Sequence, residues 1–289
     1  MNGIAKKLRW SRFLDRRSGH GIIVPVDHGL TIGPVEGLNS MAQAARWITH
    51  PAITGVIAHK GMVERLGSRG LLRGVGLMIH LNGMTSLSSS PDCKVRLTSV
   101  EAAICLGADA VSLQLNFDGS NDAHNLAELG AVVDGAQRYG LPVLTMLYDK
   151  VSSQGEAQRS KRLAHLMRAC VELGTDALKL AAPARLSEVP ALLEGVKEHT
   201  AVFFAGGEVR SEEEMLELAQ EVVRHGATGL CVGRNIFQRE RASTILTRLQ
   251  EVVMAGAVAG SASSEAPFSR PPTSGGHESW THAGEELGR

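Results

Sequence analysis

Residues 106–115 read LGADAVSLQL, and the same local phrase returns as LGTDALKL at 173–180 and as HGATGLCVG at 225–233. Each copy opens on a glycine placed to end a helix, then runs into an apolar segment that starts a strand. Five further runs have the same character: GIIVPV (21–26), TGVIAH (54–59), GVGLMIHL (74–81), LPVLTML (141–147) and TAVFFA (200–205). They are continuously apolar rather than alternating, as parallel strands covered on both faces are. Helix starts are signalled between them, for instance by the capping box Ser211-Glu212-Glu213-Glu214 ahead of Met215, Leu216 and Leu218.

Eight such units of roughly 30 residues make about 250 residues, the usual size of an α/β barrel of the (β/α)₈ TIM type. A doubly wound open sheet is the rival. It carries a G-x-G-x-x-G turn after its first strand, and here that strand ends in Val26-Asp27-His28-Gly29. The sequence therefore predicts a TIM barrel over residues 1–256, opened by an N-terminal helix with Ile4, Leu8 and Trp10 or Phe13 facing inward. From Gly260 onward Gly, Ser and Pro dominate, so residues 257–289 are expected to form a flexible tail, with Phe268 and Trp280 as its only large aromatics.

Composition narrows the function. The 289 residues hold 30 Lys+Arg against 30 Asp+Glu, a net charge of zero, which argues against nucleic acid or an anionic membrane surface as partner. Glycine is abundant at 32 residues and aromatics are only 4%, which suits many tight strand-to-helix turns and not a coiled coil or a disordered chain. Cys93, Cys105, Cys170 and Cys231 form no C-x-x-C pair and read as reduced, mostly buried thiols of a cytoplasmic protein. No apolar run approaches the roughly 18 to 20 residues of a membrane span. The basic opening from Lys6 to Arg17 leaves an organelle transit peptide as the alternative to the helix.

In a barrel, chemistry gathers where strands end. Lys179 is the sharpest signal there, the only charge within Ala177-Leu178-Lys179-Leu180-Ala181-Ala182. It has two readings: a lysine that snorkels or pairs with an acid such as Asp176, or a neutral amine for imine chemistry, its pKa lowered from about 10.4 to about 7 or 8. Ala205-Gly206-Gly207 and Val232-Gly233-Arg234 end the last two strands, where barrels bind phosphate through backbone N–H groups, with Arg234 adding a charge-assisted contact. Asp27 and Tyr148 are candidate proton carriers; their structural alternatives are a helix cap or ion pair for Asp27 and a core hydroxyl for Tyr148. His28 and His59 read as hydrogen-bonded pocket supports, and without HExxH or other close spacing no zinc mechanism is expected.

Read in order, Val24-Pro25-Val26-Asp27-His28-Gly29, His59-Lys60-Gly61, Ile79-His80-Leu81, Gly107-Ala108-Asp109-Ala110-Val111-Ser112, Ala205-Gly206-Gly207 and Val232-Gly233-Arg234-Asn235-Ile236-Phe237-Gln238 resemble the DhnA-type class I aldolases, the archaeal-type fructose-bisphosphate aldolase family. Thr31-Ile32-Gly33-Pro34 looks closest to the 2-amino-3,7-dideoxy-D-threo-hept-6-ulosonate synthase branch, which joins a phosphorylated or deoxy ketose fragment to aspartate semialdehyde. The resemblance implies a Schiff-base role for Lys179, general acid/base work for Tyr148 and proton transfer by Asp27. It puts the phosphate on Gly206, Gly207, Gly233 and Arg234, with His28 and Lys150 as further substrate contacts. It implies a phosphorylated sugar or ketose as substrate with an aldehyde acceptor, no metal or organic cofactor, and a ring-based, decamer-like homo-oligomer.

Three departures stand out. Asp149-Lys150-Val151 replaces the family's Pro-Arg-Gly and adds a carboxylate at the mouth; Leu180-Ala181-Ala182-Pro183 replaces a polar stretch; Glu208-Val209 replaces Pro-Lys after the paired glycines. They keep two alternatives in view: a thiolase-like acyl transferase using coenzyme A, and a barrel that binds a phosphorylated metabolite without turnover.

Overall fold

The computed structural model describes residues 3–151 and 155–255; the expected tail, 257–289, lies outside them. Ten strands follow in chain order: β1 (Gly21–Pro25), β2 (Gly55–Ala58), β3 (Gly76–His80), β4 (Asn82–Gly83), β5 (Val95–Arg96), β6 (Ala110–Phe117), β7 (Val143–Asp149), β8 (Ala177–Ala181), β9 (Ala201–Ala205) and β10 (Gly229–Cys231). Eight of them close into a parallel barrel in the order β1-β2-β3-β6-β7-β8-β9-β10, and β4 and β5 form a separate antiparallel ribbon. The expected TIM barrel is the observed fold.

The helices begin with α1 (Ile4–Trp10) before the barrel. Around it run α2 (His28–Ile32), α3 (Met41–Ala45), α4 (Lys60–Gly67), α5 (Val100–Cys105), α6 (Asp122–Arg138), α7 (Glu156–Glu172), α8 (Val189–Leu193), α9 (Glu212–Arg224), α10 (Arg234–Phe237) and α11 (Ala242–Ala255). The capping box expected at Ser211 opens α9, with Ser211 Oγ accepting from Glu214 N.

The recurring phrase now has a physical basis. Its glycines, Gly107, Gly174 and Gly226, take φ of +84, +92 and +92°, the left-handed conformation that ends a helix. Its polar residue serves the neighbouring strand. Asp109 Oδ2 accepts from Leu77 N at 3.0 Å, Asp176 Oδ2 from Val143 N at 3.0 Å, and Thr228 Oγ1 from Val202 N at 3.1 Å. Thr54 does the same for Ile22 N at 3.0 Å. Each such side chain satisfies an N–H at the start of the strand beside its own, so alternate strand pairs begin in register.

Strand alternation divides the apolar residues into two cores. Odd positions of β8 and even positions of β7 point into the barrel, where Ala177, Leu144 and Met146 meet Ile23, Ile57, Met78, Ala110, Phe203 and Cys231. Their neighbours, such as Leu178, Val143, Val202 and Leu230, pack outward under the helices. The inward rows turn polar toward the C-terminal ends, and there the candidate site lies.

Trp10 and Phe13 plug the other end, with rings 5.5 Å apart. Phe13 is fully buried, and a Cβ on Gly55 or Gly76 would stand 2.5 or 2.8 Å from its ring, so two strands must begin with glycine to seat it. This corrects the expected face of α1. Ile4 and Leu8 are each 64% exposed, and the inward residues are Lys6 and Trp10. Lys6 Nζ meets Asp176 Oδ2 at 2.7 Å with both side chains buried. Filling the barrel floor outweighed the apolar stripe on the opposite side of a two-turn helix. The cysteines also depart from expectation: Cys170 and Cys231 are buried, Cys93 is half-buried and Cys105 is exposed.

Candidate active site

Lys179 projects into the barrel from the centre of β8 and is 6% exposed. Its strand partners are Met146 and Phe203, and Nζ lies 3.7 Å from Met146 Sδ. Pairing with Asp176 is ruled out, because that carboxylate sits at the opposite end of the strand on Lys6. Among the described residues no carboxylate comes within salt-bridge distance of Lys179 Nζ.

Burial disfavours the Lys179 ammonium, but Cys231, Tyr148 and Asp27 act the other way and hold its pKa above the ordinary lysine value. Burial pushes the Cys231 thiol up to about 11, so at neutral pH Asp27 is the anion that matters. The sequence reading asked for an amine kept neutral at rest. The field of the Asp27 carboxylate thus opposes the effect of burial on Lys179.

Asp27 follows β1 at the N-cap position of α2, yet its side chain makes no capping hydrogen bond. It turns into the barrel mouth, with Oδ2 3.7 Å from His80 Nε2 and Oδ1 3.6 Å from His28 Nδ1. Burial alone would raise its carboxyl; His80, His28 and Lys179 outweigh that and bring it down to about 2. Burial also pushes His80 down to about 3, against the pull of Asp27, so the ring is neutral at physiological pH. His80 Nδ1 pairs with Ser112 Oγ at 2.8 Å. A neutral ring facing a carboxylate carries its proton on Nε2, so Ser112 donates to Nδ1. His59 packs edge-on against His80 with ring centroids 5.1 Å apart.

Tyr148 ends the inward row of β7, packed against the inner core. Tyr148 is half-buried and its hydroxyl has no hydrogen-bond partner among the described residues. Lys150 is exposed, with Nζ 5.9 Å above the Tyr148 ring and 3.6 Å from Asp92 Oδ1. Asp149 does not add a carboxylate to the mouth as expected. It points outward, where Arg162 Nε of α7 donates to it at 2.9 Å. Leu180 likewise faces the outer core.

The glycine ends of β9 and β10 lie side by side. Asn235, 1% exposed, joins them: Nδ2 donates to Glu208 O at 2.9 Å and Oδ1 accepts from Arg210 N at 2.9 Å. A Cβ on Gly206 would stand 2.6 Å from Asn235 Nδ2, and one on Gly233 would stand 2.8 Å from His28 Cε1. Only glycine permits this approach. Among the described residues the N–H groups of Gly207 and Gly233 donate to nothing, which leaves both free for a ligand at the ends of β9 and β10. Arg234 Nη1 reaches Glu208 Oε1 at 2.5 Å, and Glu208 is 85% exposed, so an anion can displace it.

The structure thus brings Lys179, Asp27, Tyr148, His28, Gly206, Gly207, Gly233 and Arg234 to one end of the barrel, with Lys150 on its rim. The sequence reading gave no role to Asn235, Cys231 or Ser112. Alternation along β3 and β6 puts His80 and Ser112 on the inward rows of Met78 and Ala110, and Cys231 faces inward from β10. Nothing in the sequence tells that Asn235 holds two loops. Among the described residues no cluster of His, Cys, Asp and Glu is placed to hold a metal ion, and no helix is long and apolar enough to cross a membrane.

Comparison with known proteins agrees with this geometry. The chain is 32% identical over 250 residues to a 2-amino-3,7-dideoxy-D-threo-hept-6-ulosonate synthase of Archaeoglobus fulgidus, covering 86% of this chain and 91% of that protein. It is 32% identical over 244 residues to a class 1 fructose-bisphosphate aldolase of Halobacterium salinarum, covering 82% and 91%. Among solved structures, an archaeal fructose-1,6-bisphosphate aldolase with its catalytic lysine covalently bound to the carbinolamine of its substrate superposes with a TM-score of 0.75 at 27% identity, covering 86% of this chain and 99% of that one. The family model for DeoC/LacD aldolases matches residues 21–239, the whole strand-bearing barrel with its inward lysine, and the chain belongs to that family.

Proposed function

We propose that the protein is a Schiff-base aldolase acting on a phosphorylated ketose, with Lys179 as the imine-forming residue. One observation carries the reading: a lysine buried inside the barrel, out of salt-bridge reach of any described carboxylate, shares the mouth with Asp27 and an unbonded Tyr148 hydroxyl. The phosphate rests on the N–H groups of Gly207 and Gly233, with Arg234 released from Glu208. Its binding energy holds the ketone over Lys179.

Excluding water from the mouth penalises the ammonium and carboxylate more than the neutral amine and acid. Bound substrate therefore drives a proton from Lys179 toward Asp27 and frees the amine. The amine adds to the ketone carbonyl to give a carbinolamine, and Tyr148 supplies the proton with which its hydroxyl leaves as water; the proton held on Asp27 then restores the Tyr148 hydroxyl, which leaves Asp27 a carboxylate again. The iminium then accepts the electron pair of the breaking C–C bond, while Asp27 takes the proton from the hydroxyl that becomes the aldehyde. In the reverse direction the enamine attacks an aldehyde. His80, neutral and held by Ser112, keeps the Asp27 carboxylate in place.

Two reactions fit the relatives: cleavage of fructose 1,6-bisphosphate, and joining of a ketose fragment to aspartate semialdehyde. A cytoplasmic ring-based homo-oligomer fits the same family. The departures that suggested loss of catalysis weaken, since Asp149 and Leu180 lie outside the mouth. The test is a screen of phosphorylated ketoses, with and without aspartate semialdehyde, for cleavage, condensation and borohydride-stable adducts; no adduct with any of them overturns the proposal.

A further inference from the structure

The sheet gives Lys179 two register partners, Met146 on β7 and Phe203 on β9, and only Met146 can accept a hydrogen bond. Met146 Sδ lies 3.7 Å from Lys179 Nζ, within reach of an N–H···S bond. Both side chains are buried, at 1% and 6% exposure. Packing holds the sulfur in place, since Met146 belongs to the inner core with Met78, Ala110, Leu144 and Phe203. A flexible thioether is therefore confined beside the one amine the chemistry uses.

The type of acceptor matters. A thioether carries no charge and no proton, and it can only accept. That suits a lysine whose proton count must change. An ammonium has three N–H groups, a neutral amine two and an iminium one, so Met146 can take one N–H in every state of the reaction. A carboxylate in the same place would also orient Nζ, but its charge would favour the ammonium and oppose the release of the amine. Leucine would leave the N–H facing apolar side chains with no acceptor. The other sulfur beside Lys179 is the thiol of Cys231, which burial keeps protonated at neutral pH. A protonated thiol donates as well as accepts, so it does not dictate where Nζ points.

Register adds direction. The inward row of β7 runs Leu144, Met146, Tyr148, so the sulfur stands one step below the Tyr148 ring on the same strand. An N–H committed to Met146 turns the remaining valences of Nζ away from that sulfur. They are the lone pair of the amine and, later, the C=N bond of the iminium.

We propose that Met146 is a positioning residue for the imine: its sulfur accepts one N–H of Lys179 as ammonium, amine and iminium, and so aims the lone pair and then the C=N bond at the substrate. No bond to sulfur forms or breaks. The inference rests on Lys179 being the imine-forming residue.

Met146→Leu keeps the volume and removes the acceptor, whereas Met146→Gln restores an acceptor on a side chain of similar length. Met146→Leu is expected to lower kcat about tenfold with KM within about threefold, and to slow borohydride trapping at saturating dihydroxyacetone phosphate by the same factor. Met146→Gln is expected to bring both back to within about threefold of the wild type. A packing role predicts the reverse, with the polar glutamine worse than leucine. Norleucine, which keeps the shape of methionine with CH₂ in place of sulfur, gives a second reading that does not depend on how glutamine packs. Incorporated for the nine methionines, it is expected to lower kcat about tenfold in the wild type and less than twofold further in Met146→Leu. A kcat in Met146→Leu within twofold of the wild type, norleucine acting equally on both proteins, or a Met146→Gln of wild-type urea midpoint that is no faster than Met146→Leu overturns the proposal. Trapping of the wild type with dihydroxyacetone phosphate, mapped to its peptide, is run first. No adduct on Lys179 overturns the aldolase reading; an adduct that forms equally fast in Met146→Leu overturns this inference alone.

Discussion

Gly206→Ala tests the grip on phosphate through one contact. The added Cβ would lie 2.6 Å from Asn235 Nδ2, where ordinary contacts begin at 3.4 Å. Asn235 is 1% exposed and bonded through both amide atoms, so it cannot move without surrendering the bonds to Glu208 O and Arg210 N. At roughly 1 kcal/mol each, their loss costs about 2 kcal/mol, or about thirtyfold in affinity. Those bonds align the end of β9 with the end of β10, so the cost falls on the phosphate rather than on the lysine. The expected outcome is a KM for a phosphorylated ketose raised about thirtyfold, with kcat within about threefold and Lys179 still trapped at saturating substrate. Gly207→Ala is the control: φ is +73° and its Cβ meets nothing within 4 Å, so it carries only the left-handed strain, about 1–2 kcal/mol. The reasoning fails if Gly206→Ala keeps the wild-type KM, or if kcat falls while KM does not.

Three further outcomes are expected. Asp27→Asn removes the anion that stabilises the Lys179 ammonium, so the pH dependence of imine trapping moves to lower pH; a move to higher pH would contradict the assigned field. Wild-type Asp27, held at about 2, adds no ionisation of its own in the free enzyme between pH 5 and 9, and an acid limb there that vanishes in Asp27→Asn would count against its position. Tyr148→Phe lowers kcat by about 10²–10⁴ with KM little changed if the hydroxyl moves protons, while a loss below threefold assigns it to packing. Phe13→Ala empties the barrel floor and costs about 3–5 kcal/mol in urea denaturation, with an unchanged midpoint arguing that the floor is not a packed plug.

The barrel was legible because its strands are apolar on both faces and its helix ends repeat one phrase. The lysine, the tyrosine and the glycine ends were legible because each is an exception to its local pattern. What escaped lies in contacts between segments distant in the chain. The inward face of α1 is decided by Phe13 against glycines of two strands, and by Lys6 against Asp176, 170 positions away. Asp149 looks like a mouth residue until Arg162 is seen to draw it outward. Asn235 is an ordinary polar residue in sequence; only burial and the hydrogen bonds around it give it a place. The surroundings of Lys179 escaped for the same reason, since composition shows its apolar strand but not Asp27 across the barrel.

The central claim is that Lys179 forms the covalent bond to substrate. Its most direct measurement is borohydride reduction in the presence of a phosphorylated ketose, followed by peptide mass mapping. The account predicts one reduced adduct, confined to the peptide that carries Lys179 and absent in Lys179→Met. An adduct on another lysine, or turnover that survives Lys179→Met, would contradict it.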